Sequence, residues 1–159
     1  MTSMNNDELT VLFTDKFISM KNQLKFKSSL ADLDKIFFIH DFILKEGYVP
    51  HALSRVICRR IADMYLSWYN YLHSIIFPNP NYMVNLNENQ VFNKEEKEEI
   101  IILMNKIMAF VYTNNIIALT KNKTMEAKFI DDSVKLWKSE FLPSLTKLVK
   151  KIHKMWCKK

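Results

Sequence analysis

The stretch Asn93-Lys94-Glu95-Glu96-Lys97-Glu98-Glu99-Ile100-Ile101-Ile102-Leu103-Met104-Asn105-Lys106-Ile107-Met108-Ala109-Phe110-Val111 decides the fold. Asn93 and Glu96 stand at capping-box spacing, where each side chain accepts the other residue's backbone N–H. The acidic first turn that follows is favourable against the helix dipole. From Ile100 the apolar residues recur through Ile116 and Ile117 to about Leu119 on most sides of a helical wheel, with no strand-type alternation. A helix that is apolar nearly all round belongs inside a bundle. The pattern therefore predicts an all-α, single-domain bundle of five or six helices around a central apolar helix at about 94–119.

The flanking sequence supplies the other helices. Upstream lies Pro78–Asn93, sixteen residues with six asparagines and no period. It reads as a long loop at 78–93, longer than most connections in a compact domain. Before it, Pro50 suits the first turn of a long helix whose Leu53, Ile57, Ile61, Tyr65, Trp68, Leu72 and Ile75 share one side, stopped by Pro78 and Pro80. Asn6 or Asp7 opens a first helix carrying Leu9, Leu12, Phe13, Phe17 and Met20. Ser29 caps a second whose stripe runs Leu33, Ile36, Phe37, His40, Ile43, Leu44, with Gly47 as its left-handed stop. Downstream, Thr124 caps a fifth helix with Phe129, Ile130, Val134 and Trp137, and Pro143 starts or kinks a sixth. No repeat and no linker interrupts the chain, so residues 1–159 read as one domain.

Composition narrows the chemistry. The chain has 159 residues, 48% of them hydrophobic, enough for one packed core. It has one glycine, which argues against phosphate-cradling loops, dinucleotide fingerprints and nucleophile elbows. Lysine outnumbers arginine 20 to 3, alongside 14 asparagines and 16 isoleucines, the signature of an AT-rich genome. Met1–Glu8 has neither the basic nor the apolar region of a secretory signal. The apolar run Ile100–Met104 is far short of the roughly 20 residues that span a bilayer. A soluble intracellular protein, cytoplasmic or nuclear, is the expectation. Cys58 and Cys157 read as free thiols, and no metal or cofactor is implied.

The formal charge of +6 is unevenly placed. Residues 1–120 hold 12 basic and 13 acidic side chains, whereas residues 121–159 hold 11 lysines and 4 acids. Lys147, Lys150, Lys151, Lys154, Lys158 and Lys159 lie in a stretch without an acid. Leu145, Leu148, Val149, Ile152, Met155 and Trp156 occupy one arc of that helix, at about 143–157, and all of these lysines but Lys159 fall opposite. Such a helix is either the last member of the bundle with solvated lysines, or a docking element for phosphates, an anionic membrane or a groove. The three arginines, Arg55, Arg59 and Arg60, fall within six residues of one helix, a placement that suits bidentate capture of phosphate or carboxylate. Asp63 offers them an intrahelical ion pair instead.

Other constellations read as structural. Adjacent rings in Trp68-Tyr69-Asn70-Tyr71-Leu72-His73 point about 100° apart on a helix, so the run forms no single stacking platform, and Tyr65 and Trp68 read as core. Glu126, Asp131 and Asp132 read as acids on a solvated helix face. His40 reads as a satisfied core histidine, and no histidine has the spacing of a di-iron or zinc-protease site. The sequence therefore predicts a non-catalytic binding protein. Its candidate binding residues are Arg55, Arg59, Arg60, Lys147, Lys150, Lys151, Lys154 and Lys158, with nucleic-acid backbone the favoured acidic partner. The alternatives are a protein–protein module pairing with another protein or with further copies of the chain, peripheral membrane association through 142–156, and an enzyme whose site is assembled across helices.

Overall fold

The computed structural model describes residues 4–158 and is all-α. Among the described residues the elements are α1 (Asn6–Leu24), α2 (Leu30–Phe37), α3 (Ile39–Glu46), α4 (Leu53–Ile76), α5 (Met83–Asn89), α6 (Lys94–Thr120), α7 (Lys123–Leu136), a π-helical turn (Trp137–Phe141) and α8 (Leu142–Cys157). Met1–Ser3 and Lys159 lie outside the described residues.

Local chemistry explains the boundaries. α1 opens at Asn6, as expected, with Asn5 and Glu8 forming its capping box. Ser29 caps α2, and Asn93 and Glu96 form the predicted box of α6. The cap of α7 is Asn122, whose side chain accepts the Met125 N–H, so Thr124 falls inside the helix. Gly47 ends α3 with φ +76°, the left-handed geometry that glycine adopts without strain.

The elements are more numerous than five or six for three reasons. The predicted second helix breaks at Phe38, which sits at φ +53° while the Asp34 carboxylate accepts the His40 N–H at 2.7 Å. The predicted 78–93 loop contains the two-turn helix α5, whose Asn89 amide donates to the carbonyls of Ile75 and Ile76 and so caps the end of α4. Finally, α7 and α8 are joined by a π-helical turn just ahead of Pro143. Proline lacks an N–H and crowds the carbonyl four residues back, and a π turn absorbs both defects without ending the helix.

The chain packs as two compact units. One comprises the residues up to Asp63 together with Thr113–Lys135, and the other Met64–Tyr112 together with Leu136 onward. The dividing points fall inside α4 and α6 and at the end of α7, so no linker or composition shift marks them.

The first unit buries Leu9, Phe13 and Phe17 of α1, Leu33 and Phe37 of α2, Ile39 and Ile43 of α3, Ile57 and Ile61 of α4, and Phe129 and Ile130 of α7. Leu12, expected on the apolar stripe of the first helix, is exposed. His40 is half-buried against Phe13, with its Nε2 at 3.0 Å from Thr10 Oγ1. The three acids expected on a solvated face divide. Glu126 is fully buried, accepting the Ser54 hydroxyl at 2.7 Å and pairing with Lys123 at 3.1 Å. Asp131 accepts the backbone N–H groups of Lys27 and Ser28 and the Ser28 hydroxyl, fastening α7 to the α1–α2 connection. A helical wheel cannot distinguish an acid facing water from one facing a neighbour's unsatisfied donors.

Burial pushes the Cys58 thiol up to about 12, with the nearby Glu126 carboxylate adding to the effect. Only thiolates react appreciably with a disulfide reagent. One thiol, Cys157, should therefore titrate rapidly in the native protein and the second only on denaturation; two fast thiols would contradict this packing.

The second unit is built on Tyr65, whose buried ring meets Phe110, Phe141 and Trp137 edge-on at 5.0–6.1 Å between centroids. Trp68, expected as core, is half-buried beside Trp137. Leu72, Ile75, Leu103, Ile107, Leu145, Leu148 and Ile152 are among the other buried residues of this unit. α6 is the one helix among the described residues long and apolar enough to cross a membrane by length and composition. Its Ile100, Leu103, Met104, Ile107, Phe110, Val111, Asn114 and Ile117 are buried in the fold. No clear transmembrane segment results.

Candidate functional site

α8 forms over Leu142–Cys157 because its apolar residues recur at three- and four-residue intervals and Pro143 occupies the first turn, where no N–H is missed. Leu145, Leu148 and Ile152 are buried, each contributing roughly 1.5–3 kcal/mol to docking. Val149 and Trp156 stay partly exposed, and the Trp156 indole N–H reaches a Glu88 carboxylate oxygen of α5 at 3.2 Å. α8 is thus part of the packed structure.

That docking fixes where the lysines point. Lys147, Lys150, Lys154 and Lys158 are exposed, at intervals of three, four and four residues that place them within one narrow arc. The arc spans about 16 Å along the helix axis. No acidic residue occurs on α8. Lys151 behaves differently: it is half-buried, pairs with Glu96 at 2.6 Å and lies over the Phe92 ring at 5.5 Å. Lys147, Lys151 and Glu96 also line a concavity of about 130 Å³ with Phe92 and Leu148.

The Lys151 ammonium and the Asn93 backbone hold the Glu96 carboxyl below the usual glutamate range. A carboxylate with a lowered folded value contributes stability that is present above its unfolded value and is lost as pH falls through the folded one. The stability difference between wild type and Glu96→Gln should be constant between about pH 6 and 8 and shrink as the pH falls below the ordinary glutamate value of about 4.3. Urea midpoints measured across that range would show it, and a difference independent of pH would contradict the staple.

The arginine cluster disperses. Arg55 is half-buried; its guanidinium donates to the Asn114 side chain, while its Nη1 is buried without a hydrogen-bond partner. Arg60 donates to the carbonyl of Phe37, a favourable cation at the end of α2, and lies over the Phe42 ring at 5.6 Å. Arg59 is exposed and shares with Arg60, Tyr48, Glu46 and Asp63 a cavity of about 370 Å³. Six residues of one helix therefore point toward three surroundings, and only Arg59 and Arg60 come together, with carboxylates beside them.

Two arrangements escaped the sequence reading. Tyr69, His73 and Phe77, four residues apart, form a row of rings at 6.0 and 5.1 Å along one side of α4, although their immediate neighbours diverge. His153 and Cys157 meet at 3.5 Å one turn apart on α8, a spacing that could have been read directly. Among the described residues no group of three or more His, Cys, Asp or Glu is placed to hold a metal ion.

No family model, curated protein or solved structure matches this chain.

Proposed function

We propose that this is a non-catalytic binding protein whose α8 lysine row engages the phosphate backbone of a nucleic acid. The observation that carries the reading is the exposed arc of Lys147, Lys150, Lys154 and Lys158 on a helix whose opposite face is already used in packing. A peripheral membrane helix needs its apolar face free to enter the headgroup region, and here Leu145, Leu148 and Ile152 are committed to the fold. Lysine ammoniums are flexible point charges, suited to a repeating line of phosphates and carrying little base information. Lys151 serves the fold through Glu96, and Arg55 and Arg60 serve it through Asn114 and the Phe37 carbonyl.

Titration of a fluorescent 20-base-pair duplex at increasing salt tests the reading. Four phosphate contacts predict a slope of log affinity against log salt of about −3.6. Absence of binding at low salt, or an affinity indifferent to salt, would rule it out.

A further inference from the structure

α6 has a second face. Opposite its buried positions lie Ile102, Asn105, Ala109, Tyr112, Ile116 and Leu119, all exposed, at alternating intervals of three and four residues. Ile102, Tyr112, Ile116 and Leu119 are 58%, 60%, 51% and 85% exposed. This is the a/d spacing of a helix–helix seam, sustained along one uninterrupted helix. Scattered exposed apolar residues are ordinary, but a line of them at seam spacing marks a surface that pairs.

We infer that this seam pairs two copies of the chain, helix against helix in antiparallel orientation. Charge selects the occupant and its direction. α6 opens with Lys94-Glu95-Glu96-Lys97-Glu98-Glu99, net negative with Glu95, Glu98 and Glu99 exposed, and is followed at its other end by the exposed Lys121; Lys123 beyond it is held by Glu126. An antiparallel pair sets each acidic start beside the partner's basic end and opposes the two helix dipoles. A parallel pair would stack acid on acid. Size agrees as well. A two-fold register centred between residues 110 and 111 places Ile102 against the partner's Leu119 and Ala109 against the partner's Tyr112, small facing large at the middle. Asn105 then faces the partner's Ile116, and its amide reaches solvent at the edge of the seam. The one charged residue between Ile102 and Leu119, Lys106, is already paired with Glu140 at 2.6 Å.

Sedimentation equilibrium of the full chain, from about 1 to 100 µM, should show a monomer–dimer equilibrium. The double substitution Ile116→Glu, Leu119→Glu should weaken it about 100-fold. Both residues are exposed, so the thermal midpoint should be retained. In a Cys157→Ser background, Ile102→Cys combined with Leu119→Cys should give an oxidised, disulfide-linked dimer, because the antiparallel register brings these positions together. Neither single substitution should do so. A chain that is monomeric throughout overturns the inference, including one that instead pellets with lipid vesicles. So does a dimer indifferent to the glutamate pair. Efficient cross-linking by Ile102→Cys alone would show a parallel register and overturn the antiparallel one.

Discussion

Replacing Lys147, Lys150, Lys154 and Lys158 together by glutamine is expected to lower affinity for a DNA duplex about 10³-fold near 0.1 M salt and to bring the salt slope close to zero. All four side chains are exposed, so folding should be nearly untouched. Lys150–Lys154 and Lys154–Lys158 are like-charge pairs one turn apart, and their loss relieves a few tenths of a kcal/mol each. The informative contrast is Lys151→Gln. That lysine is held by Glu96, so its removal should loosen α8 more than it weakens binding. Equal losses of affinity for Lys151→Gln and Lys154→Gln, with unchanged stability in both, would contradict the division between structural and binding lysines. The measurements are fluorescence anisotropy for affinity and thermal melting for the fold.

The second large effect is expected at Lys123. Removing one partner of a buried pair leaves an uncompensated charge and costs about 3–5 kcal/mol. Glu126 is only 1% exposed and accepts both the Ser54 hydroxyl and the Lys123 ammonium. Lys123 is itself more than half exposed, so water and the retained Ser54 bond offset part of that cost, leaving about 2–3 kcal/mol for Lys123→Met. Lys106–Glu140 is shorter, at 2.6 Å against 3.1 Å, yet both side chains are substantially exposed, and Lys106→Met should cost no more than about 0.5 kcal/mol. Urea midpoints at constant m-value measure both. Replacing Ser54 and Glu126 together by alanine and leucine should cost less than Lys123→Met, since no buried polar atom of that trio is then stranded. Similar costs for the two lysines would show that Glu126 is reached by solvent.

What was legible in the sequence followed from local physics. Capping at Ser29 and at Asn93–Glu96, the glycine stop at Gly47 and the amphipathic periodicity of α8 depend on residues within one or two turns of each other. The break at Phe38 was hidden because the apolar stripe runs through it at unbroken helical spacing, while the left-handed Phe38 and the Asp34 carboxylate that accepts the His40 N–H leave no mark in that periodicity. α5 was hidden because it has no buried residue of its own and is held partly by Asn89 against the last carbonyls of α4, 13 and 14 residues back. The candidate site was half legible. The lysine row appears on any helical wheel, but its separation into four exposed members and one tethered by Glu96 required a residue 55 positions away.

The sequence alone determined the helical class, most helix starts and the concentration of positive charge on the last helix, because periodicity, capping and formal charge are properties of neighbours in the chain. Only the tertiary structure decided which polar groups face water. Glu126 and Asp131 turn inward to donors supplied by distant segments, Arg55 and Arg60 are drawn to Asn114 and to the carbonyl of Phe37, and α6 buries one apolar face while presenting the other. Desolvation depends on what lies opposite a side chain, and that partner is set by packing between segments remote in sequence.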